Sequence, residues 1–147
     1  MLIKDSFVIH APQQKVWDFL FDIPRLSQCI PDIESVEALD DKSYRGKLVA
    51  KVGPIKSEFN GKVTLTEVDA PNRIAGTVEG DDKSSASSVK AAFSGTLTPV
   101  AGGTEAAFQL DANLRGRLAQ FGGPVITATA KKLTAEFVKN LREQLER

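Results

Sequence analysis

The C-terminal stretch from Leu118 to Arg147 constrains the fold more than any other part of the sequence. In its latter half, apolar residues recur every three or four positions, so they share one face of a helix while basic residues occupy the opposite face. A continuous helix over the whole stretch would be roughly 45 Å long. Such a helix needs an extended apolar surface to cover its stripe. The stripe consists of Ile126, Ala130, Leu133, Phe137 and Leu141.

The segments before this helix alternate between apolar and polar residues and are separated by turn signals, a pattern typical of half-buried antiparallel strands. Sequential strands joined by short turns favour a meander, and a sheet with one dry face needs a cover. The sequence therefore predicts an α+β fold, in which a curved antiparallel sheet of about seven strands surrounds the long C-terminal helix. The predicted strands are Ile3–His10, Ile33–Leu39, Tyr44–Val52, Ile55–Val68, Arg73–Glu79, Val89–Leu97 and Thr104–Leu114.

Two prolines mark the short helices predicted between the first two strands. Pro12 suits a first helical turn, where its missing N–H is not needed, and the helix that follows carries Trp17 among apolar residues spaced for one buried face. Pro24 begins a second, shorter helix that extends through Cys29. Between the strands, the segment Asp81–Ser85 is the most loop-like of the chain.

Composition narrows the class of protein without identifying it. The chain has 147 residues, of which 41% are hydrophobic and 26% charged, as expected for one domain spanning residues 1–147. The formal net charge is zero, which argues against nucleic-acid binding because no basic surplus exists to neutralise phosphates. The N-terminus lacks a signal-peptide pattern and no apolar run is long enough to span a bilayer, so a cytoplasmic location is expected.

The predicted inward face of the sheet contains unusually many small residues. Glycine inside a strand weakens it and forfeits packing. One interpretation is that the glycines let a strongly bent sheet coil around the helix. The other is that the missing side chains leave an apolar cavity, the usual kind of small-molecule site, and both can hold together. The small inward residues are Gly46, Ala50, Gly61, Gly76, Gly80, Ala91, Gly95, Ala106 and Ala112.

No catalytic constellation and no metal site is predicted from the sequence. His10 is the sole histidine and Cys29 the sole cysteine, which excludes a multi-histidine metal site and an intrachain disulfide. We expect His10 to pack at a strand end and Cys29 to act as a small hydrophobe. The carboxylates fall mainly on outward positions of the strands.

The segment Gly122-Gly123-Pro124 interrupts the C-terminal stretch. Extending the helical stripe backwards reaches Ala119 and Gly122, so one straight helix would turn Leu118 and Phe121 away from it. Proline removes a helical hydrogen bond and clashes with the preceding turn. We therefore predict a kink or a break there, with Leu118 and Phe121 at the cavity mouth, and we interpret the break as a ligand gate.

Two motifs in the chain are distinctive. One is Val52-Gly53-Pro54-Ile55-Lys56, continuing to Val63, and the other is Gly116-Arg117-Leu118-Ala119-Gln120-Phe121-Gly122. Together with Ala11-Pro12 and the apolar residues that follow, they resemble the hallmarks of the CoxG family of carbon monoxide dehydrogenase subunits, over nearly the whole chain. That family belongs to the START-like, Bet v 1-like (SRPBCC) superfamily. The resemblance therefore implies the helix-grip fold, which agrees with the architecture predicted above.

The resemblance also implies a function. Members of the family are associated with molybdenum-containing carbon monoxide dehydrogenases or related hydroxylases, which they recruit to the cytoplasmic membrane and couple to the quinone pool. The implied protein is a non-enzymatic accessory factor with a quinone or lipid in its cavity, no covalent cofactor, and peripheral contact with the inner face of that membrane. The expected ligand-binding residues are Trp17, Phe59, Phe93, Phe108, Leu118, Phe121, Val125 and Ile126.

Two other hypotheses remain open. In the first, the core is fully packed, and the outer surface of the sheet docks the partner enzyme or its maturation machinery. In the second, the chain is a cyclase or hydrolase of the same superfamily, which would require a polar dyad inside the cavity. Tyr44, the sole tyrosine, would have to contribute to that dyad together with a carboxylate.

Overall fold

Seven antiparallel strands form the sheet of this computed structural model, which describes residues 1–52 and 54–146. Gly53 of the predicted turn, Arg147 and the side chain of Ala50 lie outside the described part. The strands are β1 (Leu2–Ile9), β2 (Ile33–Ala38), β3 (Ser43–Val52), β4 (Ile55–Asp69), β5 (Arg73–Asp82), β6 (Ser87–Val100) and β7 (Gly103–Arg115). The helices are α1 (Gln13–Phe21), α2 (Ile23–Ser27) and α3 (Gly123–Leu145), and a 3₁₀ turn (Arg117–Phe121) precedes α3.

The strand order in the sheet is β1-β7-β6-β5-β4-β3-β2, so strands adjacent in sequence pair from β2 to β7, and β1 pairs with β7. The predicted α+β fold, with its strands, two short helices and long C-terminal helix, is confirmed. The predicted loop Asp81–Ser85 is shorter than expected, because β5 continues to Asp82 and β6 begins at Ser87. Its polar side chains hydrogen-bond to one another, so the hairpin needs only a short turn.

The sheet bends where β4 carries a bulge between Leu65 and Glu67. Gly76 of β5 lies opposite Leu65. A Cβ at this glycine would collide with the carbonyl oxygen of Thr64 and would approach Cζ of Phe93 to 2.9 Å. Any side chain here would force the strands apart, so this glycine supports the interpretation that small inward residues permit bending.

The tightest part of the core surrounds α1. Pro12 is the N-cap residue of α1 and Pro24 lies in the first turn of α2, as the sequence predicts. The guanidinium of Arg142 donates to the carbonyl oxygen of Val8 at 3.1 Å, which ties the end of α3 to β1. The buried cluster thus joins α1 to β1, β6 and the C-terminal end of α3. Its members are Ile9, Ala11, Val16, Trp17, Phe19, Cys29, Leu97, Leu141 and Leu145.

The predicted break in the C-terminal stretch is confirmed. Gly122 has a φ of 81°, a conformation that glycine adopts without steric cost, and it separates the 3₁₀ turn from α3. Helix α3 has 23 residues and is about 35 Å long. Its buried residues, Val138, Leu141 and Leu145, all lie at its C-terminal end. The remainder of the predicted stripe is half-buried, so the helix is held firmly at one end rather than along its whole length.

Candidate functional site

The half-buried part of α3 borders an apolar cavity of about 430 Å³. The cavity lies between the sheet, α1 and α3, and its volume is typical of small-molecule sites. Gly95 and Ala106 line it, so the second interpretation of the small inward residues holds beside the first. The lining residues are Phe7, Trp17, Leu20, Phe21, Ile30, Pro31, Leu48, Ile74, Gly95, Thr96, Leu97, Ala106, Ala107, Phe108, Leu133, Thr134 and Phe137.

Five aromatic rings form much of the cavity wall. Trp17 and Phe21 lie four residues apart on α1, so their side chains meet, with ring centroids 4.9 Å apart and an interplanar angle of 37°. Phe7 comes from β1, Phe108 from β7 and Phe137 from α3. Aromatic rings offer large, rigid contact surfaces, which suit a planar or chain-like apolar molecule.

The cavity contains very little polar chemistry. Thr96 and Thr134 supply its side-chain hydroxyls, and Oγ1 of Thr134 donates to the carbonyl oxygen of Ala130 at 2.8 Å within α3. In the part of the chain that the structure describes, no carboxylate, amine, imidazole or phenol lines the cavity, and Tyr44 is not among its lining residues. The arrangement can exclude water from an apolar ligand, but it does not provide the polar dyad that a cyclase or hydrolase would need.

Trp17 and Phe108 are the two predicted ligand-binding residues that line the cavity. The other six are not among its lining residues, and all of them except Leu118 are half-buried or exposed. The alternation of a strand tells which side chains face inward, but it does not tell where along that face a void remains. The six are Phe59, Phe93, Leu118, Phe121, Val125 and Ile126.

The prediction that Leu118 lies at the cavity mouth is wrong. Its side chain is only 1% exposed, and its backbone N–H donates to Oγ of Ser87 at 3.1 Å. Leu118 is therefore fixed against the β5–β6 hairpin. Phe121, at the end of the same 3₁₀ turn, is half-buried and does not line the cavity either. The sequence reveals that the helix breaks, but not the direction in which the preceding turn packs.

The contribution of the helices to the cavity wall escapes the sequence analysis. Phe21 lies one turn after Trp17, and Phe137 lies one turn after Leu133. The sequence assigns Leu133 and Phe137 to the gripped stripe of α3, yet both line the cavity. The available signal is the four-residue spacing of each pair, which places two large apolar side chains side by side on one helix face.

A buried polar network lies at the β5–β6 hairpin. Asp82 is 3% exposed, and its carboxylate accepts hydrogen bonds from four donors. Oδ1 accepts from the N–H and the hydroxyl of Ser84, at 3.0 and 2.7 Å, while Oδ2 accepts from the N–H of Glu58 and the hydroxyl of Ser85, at 3.2 and 3.0 Å. These bonds, above all that from the Ser84 hydroxyl, hold the pKa of Asp82 below its usual value despite burial.

The network continues from the hairpin to the turn before α3. The hydroxyls of Ser85 and Ser87 lie 2.9 Å apart, and Oγ of Ser87 accepts from the N–H of Leu118. Oγ of Ser57 is also buried and has no hydrogen-bond partner within residues 1–52 and 54–146. Since the Asp82 carboxylate is ionised and saturated with donors, the network acts as a structural anchor and not as an acid or base.

The remaining candidate residues have structural surroundings. Cys29 is 1% exposed, and burial raises the pKa of its thiol although Arg25 opposes the shift, so the thiol packs as a small hydrophobe as expected. His10 is exposed, with Nδ1 3.4 Å from the carbonyl oxygen of Gly102 at the β6–β7 turn. The described residues contain no group of three or more side chains placed to hold a metal ion. Among these residues, no helix combines the length and hydrophobicity needed to cross a bilayer.

Comparison with known proteins gives one family and many structural relatives. The family model described as CoxG, for carbon monoxide dehydrogenase, matches residues 6–146. No curated protein sequence matches the chain. A conserved protein from Geobacillus kaustophilus has a TM-score of 0.91 at 22% identity, with 99% of this chain and 95% of that chain covered.

Two further solved structures share the fold at lower similarity. A START superfamily protein from Mycobacterium smegmatis has a TM-score of 0.75 at 14% identity, with 99% of this chain and 97% of that chain covered. The Zhui aromatase/cyclase from Streptomyces sp. R1128 has a TM-score of 0.72 at 15% identity, with 100% and 94% covered. At these identities the structures show a START-like fold and nothing about function. Because the family model covers nearly the entire sequence, the chain belongs to the CoxG family of carbon monoxide dehydrogenase subunits.

Proposed function

We propose that this protein is a non-enzymatic accessory protein that binds a hydrophobic ligand, a quinone or a lipid, between the sheet and α3. The observation that carries the proposal is the cavity of about 430 Å³, which is lined almost wholly by apolar side chains. Each Å² of apolar ligand surface that leaves water there contributes roughly 25 cal/mol. A cavity of this size also argues against the alternative of a fully packed core that only docks a partner.

We further propose that the bound ligand serves a molybdenum-containing hydroxylase of the carbon monoxide dehydrogenase type at the inner face of the cytoplasmic membrane. The protein would recruit this enzyme to the membrane or couple it to quinones. Family membership supports this part of the proposal, since the family is described as a subunit of carbon monoxide dehydrogenase. An aromatase/cyclase shares the fold, but the apolar lining of the cavity favours binding over catalysis.

Trp17 provides the test, because it is the sole tryptophan and it lines the cavity. Decylubiquinone and monoolein, a neutral lipid, are titrated separately into the protein while tryptophan emission and the thermal midpoint are recorded. A ligand at a hundred times its Kd stabilises the folded state by about 2.7 kcal/mol. For a domain of this size, that raises Tm by roughly 5–10 °C.

Two alanines on neighbouring strands make a matched pair of variants. Ala106 in β7 lines the cavity, whereas Ala92 in β6 is exposed. We expect Ala106→Leu to fill part of the cavity and to weaken ligand affinity at least tenfold, while Ala92→Leu leaves it unchanged. If neither the quinone nor the lipid changes the emission or Tm of the unmodified protein, the proposal is wrong.

A further inference from the structure

A second, charged cleft of about 590 Å³ lies directly beside the apolar cavity. The two share Leu133 as a wall residue. They also adjoin along the chain, because Pro31 and Leu48 line the cavity while the next residues, Asp32 and Val49, line the cleft. A molecule in the cavity could thus extend into the cleft without crossing a packed layer. The cleft is lined by Asp32, Ile33, Glu34, Val49, Lys51, Lys56, Thr129, Lys132, Leu133 and Glu136.

Three lysines of the cleft come together without a counter-ion. Lys51 of β3 and Lys56 of β4 are direct partners in the antiparallel register, so their side chains share one face of the pair. Like charges directly opposite one another destabilise a sheet. Lys132 approaches the same cleft from α3. Within residues 1–52 and 54–146, none of these ammonium groups lies within 4 Å of a carboxylate oxygen.

The carboxylates of the cleft do not cancel this charge. Glu34 already pairs with Lys47 at 3.4 Å, and Lys47 also forms an ion pair with Glu58. Asp32 and Glu136 remain, so two carboxylates face three lysines. The repulsion between the paired lysines would be relieved by an anion placed between them and the lysine of α3, since opposite charges at short distance attract.

We propose that this cleft binds the anionic head of an amphiphile whose apolar part occupies the cavity. The inference rests on the proposed function and narrows its ligand class, from any apolar molecule to one that carries a phosphate or a carboxylate at one end. It also gives a role to the end of β3 and the start of β4, whose Val-Gly-Pro-Ile-Lys motif is distinctive in the sequence. Lys132 and Leu133, adjacent on α3, would then contact the head and the chain of one ligand.

The test compares amphiphiles that share one chain and differ only in the head. Dodecyl phosphate, dodecanoate and neutral dodecan-1-ol are titrated below the concentrations at which they form micelles, with Trp17 emission as the readout. Inorganic phosphate alone is the fourth probe. We expect the two anionic amphiphiles to bind at least tenfold more tightly than the alcohol, and inorganic phosphate to leave the emission and Tm unchanged. Added salt should reduce the advantage of the anions.

A charge-matched pair of double variants locates the effect. Lys51→Gln with Lys56→Gln should remove the preference for the anions while affinity for dodecan-1-ol stays the same. Lys62→Gln with Lys90→Gln removes the same charge from exposed positions outside the cleft and should keep the preference. The Tm of each variant without ligand shows that it is folded, and Lys132→Gln provides a single substitution on α3 that leaves both strands intact.

The outcomes separate this inference from the proposed function. If dodecan-1-ol binds as tightly as the anions, or if both double variants behave alike, the head site is wrong while ligand binding in the cavity stands. If inorganic phosphate alone stabilises the protein as much as dodecyl phosphate does, the cleft binds a free anion and the amphiphile is ruled out. If no amphiphile binds and decylubiquinone and monoolein also fail, the cavity itself is not a ligand site.

Discussion

Replacing Asp82 by asparagine tests how the buried polar network holds the hairpin in place. Oδ1 accepts from the N–H and hydroxyl of Ser84, and Oδ2 accepts from the N–H of Glu58 and the hydroxyl of Ser85. Asparagine has the same shape, but one of its two acceptors becomes an NH₂ donor. A serine hydroxyl can rotate and accept a hydrogen bond instead. A backbone N–H cannot, so either Glu58 or Ser84 loses the partner of its N–H.

The expected magnitude follows from that lost partner. A buried donor without an acceptor costs about 1–3 kcal/mol, and a hydrogen bond to a charged group contributes about 1.5–3 kcal/mol. The two values partly describe the same bond, so we expect Asp82→Asn to lower the free energy of unfolding by about 2–4 kcal/mol. In a domain of this size, that corresponds to a decrease in Tm of roughly 5–12 °C.

Urea unfolding followed by Trp17 fluorescence measures this difference as a function of pH. The hydrogen bonds lower the pKa of Asp82 in the folded state from its ordinary value of 3.8. The stability that the carboxylate contributes is therefore fully present above that value and is lost as the pH falls through the lower, folded-state pKa. The difference between the unmodified protein and Asp82→Asn should be largest near neutral pH and should shrink in the acid range.

Asp81→Asn is the matched control, because Asp81 precedes Asp82 in β5 and is exposed. It should change the free energy of unfolding by less than about 0.5 kcal/mol, as surface substitutions usually do. The reasoning is refuted if Asp82→Asn is as stable as Asp81→Asn at neutral pH. It is also refuted if the difference stays constant through the acid range, because the carboxylate would then have no role as an ionised acceptor.

Two further predictions concern the bend in the sheet and the break before α3. Gly76→Ala should lower the free energy of unfolding by about 1–3 kcal/mol, because its Cβ would collide with the carbonyl oxygen of Thr64. Gly61→Ala, whose Cβ would meet its nearest neighbour at 3.5 Å, should be nearly neutral, and equal effects in chemical denaturation would contradict the bending argument. In hydrogen exchange, amides of residues 127–137 should exchange faster than those of residues 138–145, which include the buried side chains of α3. Uniform protection along α3 would argue against the gate interpretation of the break at Gly122.

Most of the fold was predictable because its strands are long, alternate cleanly and are separated by turn residues. The segment Ile55–Val68 illustrates this, since its apolar and polar residues fall on opposite faces and β4 spans Ile55–Asp69. The β5–β6 hairpin differs because aspartate and serine usually mark loops. Here Asp82 accepts from the N–H of Glu58, 24 residues away, and such a long-range partner cannot be identified from local sequence.

The site was less predictable, because a void depends on how separate elements pack. Trp17 and Phe108 face the cavity, but Phe93 has the same inward orientation and packs instead beside Gly76. A sequence gives the face of each element and not the distance between two faces. Leu118 shows the same limit, since its burial depends on a hydrogen bond to Ser87 in a hairpin 31 residues earlier.

The uneven anchoring of α3 separates the residues that stabilise this protein from those that would bind its ligand. The buried residues of α3 lie at its C-terminal end, while Leu133 and Phe137 line the cavity and Lys132 faces the charged cleft. Substitutions at the cavity and the cleft should therefore change binding without removing the main contacts of the core. A ligand that touches these three residues would in turn supply the contacts that this part of the helix lacks. Binding and ordering of α3 should then be coupled, and hydrogen exchange repeated with ligand present would show it as slower exchange in residues 127–137.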